Sequence, residues 1–140
     1  MSTILDRLDR AMMEYADTPA VVDRGGERIT TYAEIDDISG RVAAYLIKKG
    51  IGTESVCVID CPRGLEFIAV RIGVIKAGAA WVGIEQMMGS ERIDYITRNC
   101  NAAIVFDMEH FNAAMSEEPL PHDKWIEAEP HDLAFIIYTS

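Results

Sequence analysis

Residues 55–82, SVCVIDCPRGLEFIAVRIGVIKAGAAWV, decide the fold class of this 140-residue chain. The run Ser55–Cys61 is rich in β-branched side chains and has few polar breaks, which is typical of a strand covered on both faces. A proline ends this run, and apolar residues then recur at helical spacing over Gly64–Lys76. A glycine ends the helix before a second apolar strand at 79–82. The stretch therefore predicts a strand–helix–strand unit of a parallel sheet.

Local patterns also predict the elements that precede this unit. An apolar stripe at helical spacing predicts a first helix over Thr3–Tyr15. Two short segments, 20–22 and 28–30, read as strands on either side of a glycine turn and predict a β-hairpin. The spacing of Thr31–Glu34 matches a capping box, so a second helix is expected to begin there and to stop at Gly50.

The alternation of elements continues after residue 82. Ser90 is expected to cap a helix that runs to Asn99, and 102–106 reads as the next strand. An acidic, proline-containing segment, 107–130, predicts a long connection with a short helix, and a last apolar strand follows at 133–137. We therefore predict a single α/β domain over residues 1–140, a three-layer, Rossmann-like parallel sheet with an early β-hairpin.

Composition restricts the partners and the compartment of this chain. The formal net charge of -10 would repel a phosphate backbone, so nucleic acid is not an expected partner. The first residues lack an apolar signal core, and no apolar run reaches the roughly 20 residues of a membrane span. Three cysteines form an odd count that suits reduced thiols, so we expect a soluble, cytoplasmic protein. Two of them, Cys57 and Cys61, are interpreted as buried structural thiols, with a metal pair as the alternative.

Several charged and histidine side chains resemble catalytic groups but have simpler interpretations. The acidic residues Glu34, Asp36 and Asp37 are expected to stabilise the N-terminus of the second helix. Lys76 lies in the last turn of its helix, where a cation suits the helix C-terminus, and is not expected to be catalytic. The histidines are interpreted as solvated loop residues at separations that fit no compact metal motif, namely His110, His122 and His131. The sequence thus predicts no catalytic residue and no metal site.

Three segments resemble the adenylate-forming enzymes, and in particular the amino-acid adenylation domains of nonribosomal peptide synthetases. Residues 31–35, TYAEI, are similar to the early Thr-Tyr-x-Glu-Leu segment of that family. Residues 75–85, IKAGAAWVGIE, are similar to its Leu-Lys-Ala-Gly-Ala-Ala-Tyr-Val-Pro-Ile-Asp segment, and Glu91-Arg92-Ile93 matches a following Glu-Arg-Ile run. The departures are Trp81 for Tyr, Gly83 for Pro, Glu85 for Asp and Ser90 for Pro.

The end of the sequence resembles the entry to the phosphate-binding loop of the same family. Tyr138, Thr139 and Ser140 match the start of Tyr-Thr-Ser-Gly-Thr-Thr-Gly-x-Pro-Lys, in which hydroxyls and backbone N–H groups contact phosphate oxygens. The resemblance implies that Thr139 and Ser140 begin the nucleotide phosphate-binding loop of the intact enzyme. Without it, they are ordinary residues at the end of a strand.

The resemblance implies an ATP-dependent ligase that uses Mg and activates an amino acid or another carboxylic acid as an acyl-adenylate. The acyl group would pass to the pantetheine thiol of a carrier protein or of coenzyme A. By this resemblance, residues 1–140 would be the N-terminal part of such a domain, and they are expected to be inactive alone, with no cofactor bound tightly. They are also expected to self-associate through exposed apolar surface.

Two other interpretations remain open from the sequence. The first is a stand-alone small α/β domain, derived from such an enzyme, that serves in binding or assembly. The second is an acidic, flavodoxin-like nucleotide or cofactor binder without ligase ancestry, which fits the alternation of elements but not the matched segments.

Overall fold

The computed structural model describes residues 4–84 and 89–126. The helices and strands are α1 Ile4–Glu14, β1 Pro19–Asp23, β2 Arg28–Thr31, α2 Tyr32–Lys48, β3 Val56–Ile59, α3 Leu65–Lys76, β4 Ala80–Gly83, α4 Ser90–Asn99, β5 Ile104–Phe106 and α5 Met108–Ala114. Short 3-10 turns occupy Arg24–Gly26 and His122–Lys124.

The central sheet has the strand order β4-β3-β5, and both strand pairs are parallel. Alternate residues of β3 enter two different apolar clusters. Val58 packs with residues of α4, whereas its neighbours Cys57 and Ile59 pack with residues of α2, α3 and α5. Helices therefore cover both faces, which confirms the predicted three-layer arrangement and explains the continuous apolar character of this strand.

The predicted hairpin is present as a separate antiparallel pair, β1 and β2. Its turn contains Gly25 and Gly26, whose φ angles of 65° and 92° favour glycine. Val21 faces inward and packs with Met12 of α1 and Ile35 of α2. The hairpin and α1 thus form a third apolar cluster beside α2 and α3.

Helix α2 begins with the predicted capping box. The Glu34 backbone N–H donates to Thr31 Oγ1 at 3.2 Å, and the Thr31 backbone N–H donates to Glu34 Oε1 at 3.0 Å. Both bonds satisfy N–H groups that have no intrahelical partner. The helix ends just before Gly50, whose φ of 79° explains the choice of glycine at the stop.

Helices α2 and α3 cross at very short distance, because Gly73 of α3 has no side chain. A Cβ atom at this position would lie 2.6 Å from Val42 Cγ1 and 2.8 Å from the Ser39 carbonyl oxygen. The crossing brings the last turn of α3 beside the first turns of α2, and this contact positions Lys76.

The predicted cap of α4 differs from the structure, and the last predicted strand lies outside the described residues. Ser90 is the first residue of α4, and the capping position is Gly89, which makes no side-chain cap bond. The prediction of Ser90 as the cap was therefore wrong by one position. The short helix expected within 107–130 is α5, and the strand expected at 133–137 lies outside the described residues.

Candidate functional site

The predicted phosphate-binding residues Thr139 and Ser140 lie outside the described residues. Their role stays a prediction. The structure does describe the carboxyl ends of β3 and β5, which is the edge of a parallel sheet where ligands bind.

Acidic side chains stand at this carboxyl edge. Asp60 follows β3, and its backbone N–H donates to the Phe106 carbonyl oxygen at 2.8 Å. Asp107 follows β5, and its carboxylate accepts the backbone N–H of His110 at 3.1 Å, which caps α5. A phosphate group would meet repulsion from these carboxylates, so donors for it must come from another part of the edge.

The cysteines behave as the predicted structural thiols. Cys57 and Cys61 are buried, and burial raises the pKa of each thiol to about 12. The Cys61 thiol lies 3.5 Å from the Phe106 carbonyl oxygen and donates to it. Among residues 4–84 and 89–126, no group of three histidine, cysteine or acidic side chains is arranged to hold a metal ion. Because the thiolate is the nucleophilic form of cysteine, thiols with raised pKa values are unreactive at neutral pH.

An ion-pair network that the sequence did not predict joins the hairpin to α3. The Arg28 guanidinium donates to both carboxylate oxygens of Glu66, at 2.8 and 2.9 Å, and to both of Asp23, with an Nε–Oδ1 distance of 2.8 Å. Asp23 also accepts the backbone N–H of Leu65, the first residue of α3, at 3.0 Å. The hydrogen bonds from Arg28 hold the pKa of Asp23 and of Glu66 below their ordinary values.

A second network surrounds Lys76, which lies in the last turn of α3 as predicted. The sequence did not predict that this side chain has no exposed surface. Its Nζ donates to Asp36 Oδ1 at 2.8 Å, to the Asp36 carbonyl oxygen at 3.1 Å and to Ser39 Oγ at 2.8 Å. All three ammonium protons are thereby satisfied. Burial nevertheless lowers the pKa of Lys76, because it disfavours the charged form.

The carboxylate of Asp36 was expected to stabilise the N-terminus of α2, but in the structure it joins two other side chains. One oxygen accepts from Lys76, and the other lies 2.7 Å from Nε2 of His122. The neighbouring Asp37 instead pairs with Arg41 on the exposed side of α2, with an Nε–Oδ2 distance of 2.9 Å. Only Glu34 has the capping role that the sequence predicted.

The interpretation of the histidines as solvated loop residues was wrong for two of the three. His110 lies on α5, and its Nδ1 is 2.8 Å from the Tyr45 hydroxyl. His122 is bonded through Nε2 to Asp36 and through Nδ1 to Asp9 of α1. Its ring also contacts the Trp125 ring in a tilted arrangement, with 4.2 Å between ring centroids. His131 lies outside the described residues.

Residues 115–126, here called the strap, lie along α2 and reach the end of α3. Arg41 donates to the carbonyl oxygens of Met115 and Glu117, and the Leu120 N–H donates to the Gly40 carbonyl oxygen at 3.0 Å. The last contact is from the Ile126 N–H to the Lys76 carbonyl oxygen at 2.8 Å. The strap therefore connects the Lys76 network to the residues that follow 126.

Solved adenylate-forming enzymes share this fold. The complex of VinN with 3-methylaspartate superposes with a TM-score of 0.84 over 99% of this chain and 44% of that chain, at 20% identity. A fatty acyl CoA synthetase of Mycobacterium tuberculosis gives a TM-score of 0.80 over 95% of this chain and 32% of its own, at 18% identity. At these identities the likeness establishes the fold, which is the α/β fold with a parallel sheet and an antiparallel hairpin.

The chain belongs to the family of AMP-binding enzymes, whose match extends over residues 8–140. Tyrocidine synthase 2 of Brevibacillus parabrevis is 35% identical over 79% of this chain. A probable non-canonical nonribosomal peptide synthetase of Salinispora arenicola, CymA, is 29% identical over 99% of it. The chain spans 3% and 2% of the length of these two relatives. Within the described part of the chain, no helix has both the length and the apolar character needed to cross a membrane.

Proposed function

We propose that this chain is part of an ATP-dependent ligase that activates an amino acid or another carboxylic acid as an acyl-adenylate. The observation that carries the proposal is the AMP-binding match over residues 8–140, together with relatives that are peptide synthetases. In the reaction, a carboxylate oxygen of the substrate attacks the α-phosphorus of ATP, and pyrophosphate leaves. A pantetheine thiol of a carrier protein or of coenzyme A then attacks the acyl carbon, and AMP leaves.

The proposed role of Thr139 and Ser140 is to begin the loop that holds the phosphates of ATP. They follow an apolar run, 133–137, so they would stand at the carboxyl end of a strand, where ligands of parallel sheets bind. Hydroxyl and backbone N–H donors can approach phosphate oxygens closely at such a position. Asp60 and Asp107, at the ends of the described strands, would repel a phosphate. Donors such as those of Thr139 and Ser140 are therefore needed to hold it.

The Mg ion of the reaction is proposed to arrive with the nucleotide. The described residues, 4–84 and 89–126, contain no cluster of three candidate ligands, so we assign no metal ligand among them. The ion would neutralise charge on the triphosphate, as it does in nucleotide-dependent enzymes generally.

Residues 1–140 are proposed to be inactive without further residues, because they contain the start of the phosphate-binding loop and not its glycines or lysine. The test compares two proteins in ATP–pyrophosphate exchange with a panel of amino and aryl acids: this chain, and the product of the natural reading frame continued beyond Ser140. Exchange by the longer protein alone supports the proposal. Exchange by residues 1–140, or the absence of any Gly-rich hydroxyl segment with Pro-Lys in a continued frame, contradicts it.

Self-association of this chain is also a proposal. Val22 and Ile29 lie directly opposite each other on the hairpin and are 60% and 56% exposed. Two adjacent apolar side chains on a strand pair favour burial against another surface.

A further inference from the structure

His122 lies between two carboxylates that come from two different helices. Nδ1 faces Asp9 of α1, and Nε2 is 2.7 Å from Asp36 Oδ2 of α2. An ionised carboxylate only accepts hydrogen bonds, so with both carboxylates ionised each ring nitrogen must carry a proton for both bonds to form. The geometry at His122 is therefore that of the charged imidazolium.

The protonated ring joins the strap to three helices at once. Through Asp36 it is linked to Lys76 of α3, since the same carboxylate accepts from the lysine at 2.8 Å. Through Trp125 it is linked to Lys76 a second time, because the ammonium lies 4.5 Å from the centre of the indole ring. Ile126 then bonds to the Lys76 backbone. His122 is thus joined to Lys76 by two routes, and the Ile126 bond to the Lys76 backbone lies beside them.

One polar group at this end of the strap is unsatisfied. Within the part of the chain that the structure describes, the buried indole N–H of Trp125 has no hydrogen-bond partner. An unsatisfied buried donor disfavours the docked position of its segment. The contacts of His122 offset this cost. Their loss should therefore release residues 121–126 from the helices.

We propose that His122 is a pH-sensitive latch: in its doubly protonated form it fixes strap residues 121–126 on α1, α2 and α3, and loss of one proton frees them. The consequence for activity rests on the proposed function, since the chain continues from Ile126 towards Thr139 and Ser140. In that setting His122 is a positioning residue that acts through the strap. The latch itself does not depend on ATP chemistry.

The charges around His122 give the direction of the pH dependence. Burial disfavours the imidazolium, but hydrogen bonds to Asp9 and Asp36 outweigh it, and the pKa of His122 is raised above its ordinary value of 6.5. Asp6 of α1 lines the same solvent-open cavity of about 190 Å³ and adds negative charge, whereas Lys76 of α3 opposes protonation from behind Asp36. On the strap itself, Asp123 and Lys124 are exposed neighbours of opposite sign.

The test measures amide hydrogen exchange and histidine titration by NMR on the 140-residue chain between pH 5 and 9. We expect the protection factor of the Ile126 N–H to fall at least tenfold as His122 titrates, at a pH above 6.5. The N–H of Ala77 is the internal control, because it bonds to the Gly73 carbonyl oxygen in α3 and not to the strap. An unchanged Ile126 protection factor across the titration of His122 would overturn the proposal.

Two variants separate a latch from an ordinary structural contact. Asp9→Asn removes one carboxylate at a half-exposed position and keeps the Lys76–Asp36 pair, so the midpoints of both His122 and Ile126 should move together to lower pH. His122→Gln should leave Ile126 weakly protected at every pH. A midpoint that stays in place in Asp9→Asn contradicts the proposal, even if His122→Gln does not fold. Neither readout uses ATP–pyrophosphate exchange, so failure of the latch and failure of the ligase proposal are distinguishable.

Discussion

Lys76 Nζ donates to Asp36 Oδ1 at 2.8 Å across the contact between α3 and α2, and the lysine has no exposed surface there. The two partners are not equivalent, because the Asp36 side chain is 26% exposed and has His122 as a second partner. Loss of the Asp36 carboxylate would leave the buried Lys76 ammonium without a counter-charge. Loss of Lys76 would leave Asp36 with His122 as a donor, so it should cost less stability.

This asymmetry gives the first prediction. Asp36→Asn should lower the free energy of unfolding by roughly 3–5 kcal/mol, because it leaves the buried ammonium without its counter-charge. Lys76→Met should cost about 1–2 kcal/mol, since it removes hydrogen bonds while Asp36 retains His122. Urea unfolding at pH 7 measures both. The control is Asp37→Asn on the exposed side of α2, with an expected cost below about 1 kcal/mol. Equal losses of unfolding free energy in Asp36→Asn and Lys76→Met would contradict the argument that the buried lysine depends more on the pair than the aspartate does.

The second prediction concerns the close crossing of α2 and α3. Gly73→Ala should destabilise the chain by about 1–3 kcal/mol, because its Cβ would meet Val42 and the Ser39 backbone at distances that no side-chain rotation relieves. The matched control is Gly52→Ala. Its Cβ would lie 3.5 Å from the Ala77 carbonyl oxygen, which is an ordinary van der Waals distance. Thermal and urea unfolding of the two variants measure the difference. A stabilising Gly73→Ala, as helix propensity alone would give, would contradict the packing argument.

The third prediction is an acid sensitivity centred on Arg28. The pKa values of Asp23 and Glu66 are lowered in the folded chain, so the stability they provide is present above their ordinary values of 3.8 and 4.5. It is lost as the pH falls through their lower folded-state values. Arg28→Met leaves the buried Glu66 without its cationic partner, so the variant should be strongly destabilised at pH 7, and its gap to the parent should narrow as the pH falls to 3.

The measurement for Arg28 is urea unfolding at pH 7, 5 and 3, with Arg10→Met of α1 as the control for a lost surface charge. Arg10 is exposed, so that variant should follow the parent at all three pH values. A gap between Arg28→Met and the parent that stays constant with pH would rule out the proposed charge linkage.

Local signals account for most of the fold that could be predicted from the sequence. The capping box at Thr31 and Glu34 and the glycine stop at Gly50 act within a few residues, so their bonds in the structure match the pattern in the chain. The strand at Val56–Ile59 is recognisable because a covered strand is apolar on both faces. Such features depend on near neighbours only.

The networks around Lys76 and Arg28 could not be predicted in this way. Lys76 and Asp36 are 40 residues apart, and Arg28 and Glu66 are 38 residues apart. In the sequence each looks like an ordinary helix-end or turn charge, and only the crossing of α2 and α3 and the docking of the hairpin make them partners. His122 was misread for the same reason, since both of its carboxylates come from distant helices. The available signal for a buried cation was Lys76 itself, a lysine directly before Ala-Gly in a helix whose other charged residues are Glu66 and Arg71.

The last prediction is that this chain self-associates through the outer face of the hairpin. Val22 and Ile29 are directly opposed and more than half exposed, so burying them against a second copy removes apolar surface from water. We expect analytical ultracentrifugation to show dimers or larger species at micromolar concentration, and the Val22→Thr, Ile29→Thr double variant to shift the chain towards monomer, because threonine keeps the β-branched shape and adds a hydroxyl. Tyr95→Thr is the matched control, because this tyrosine is 50% exposed on α4. A monomeric parent contradicts the prediction, and equal association of the parent and the double variant assigns the interface to another surface.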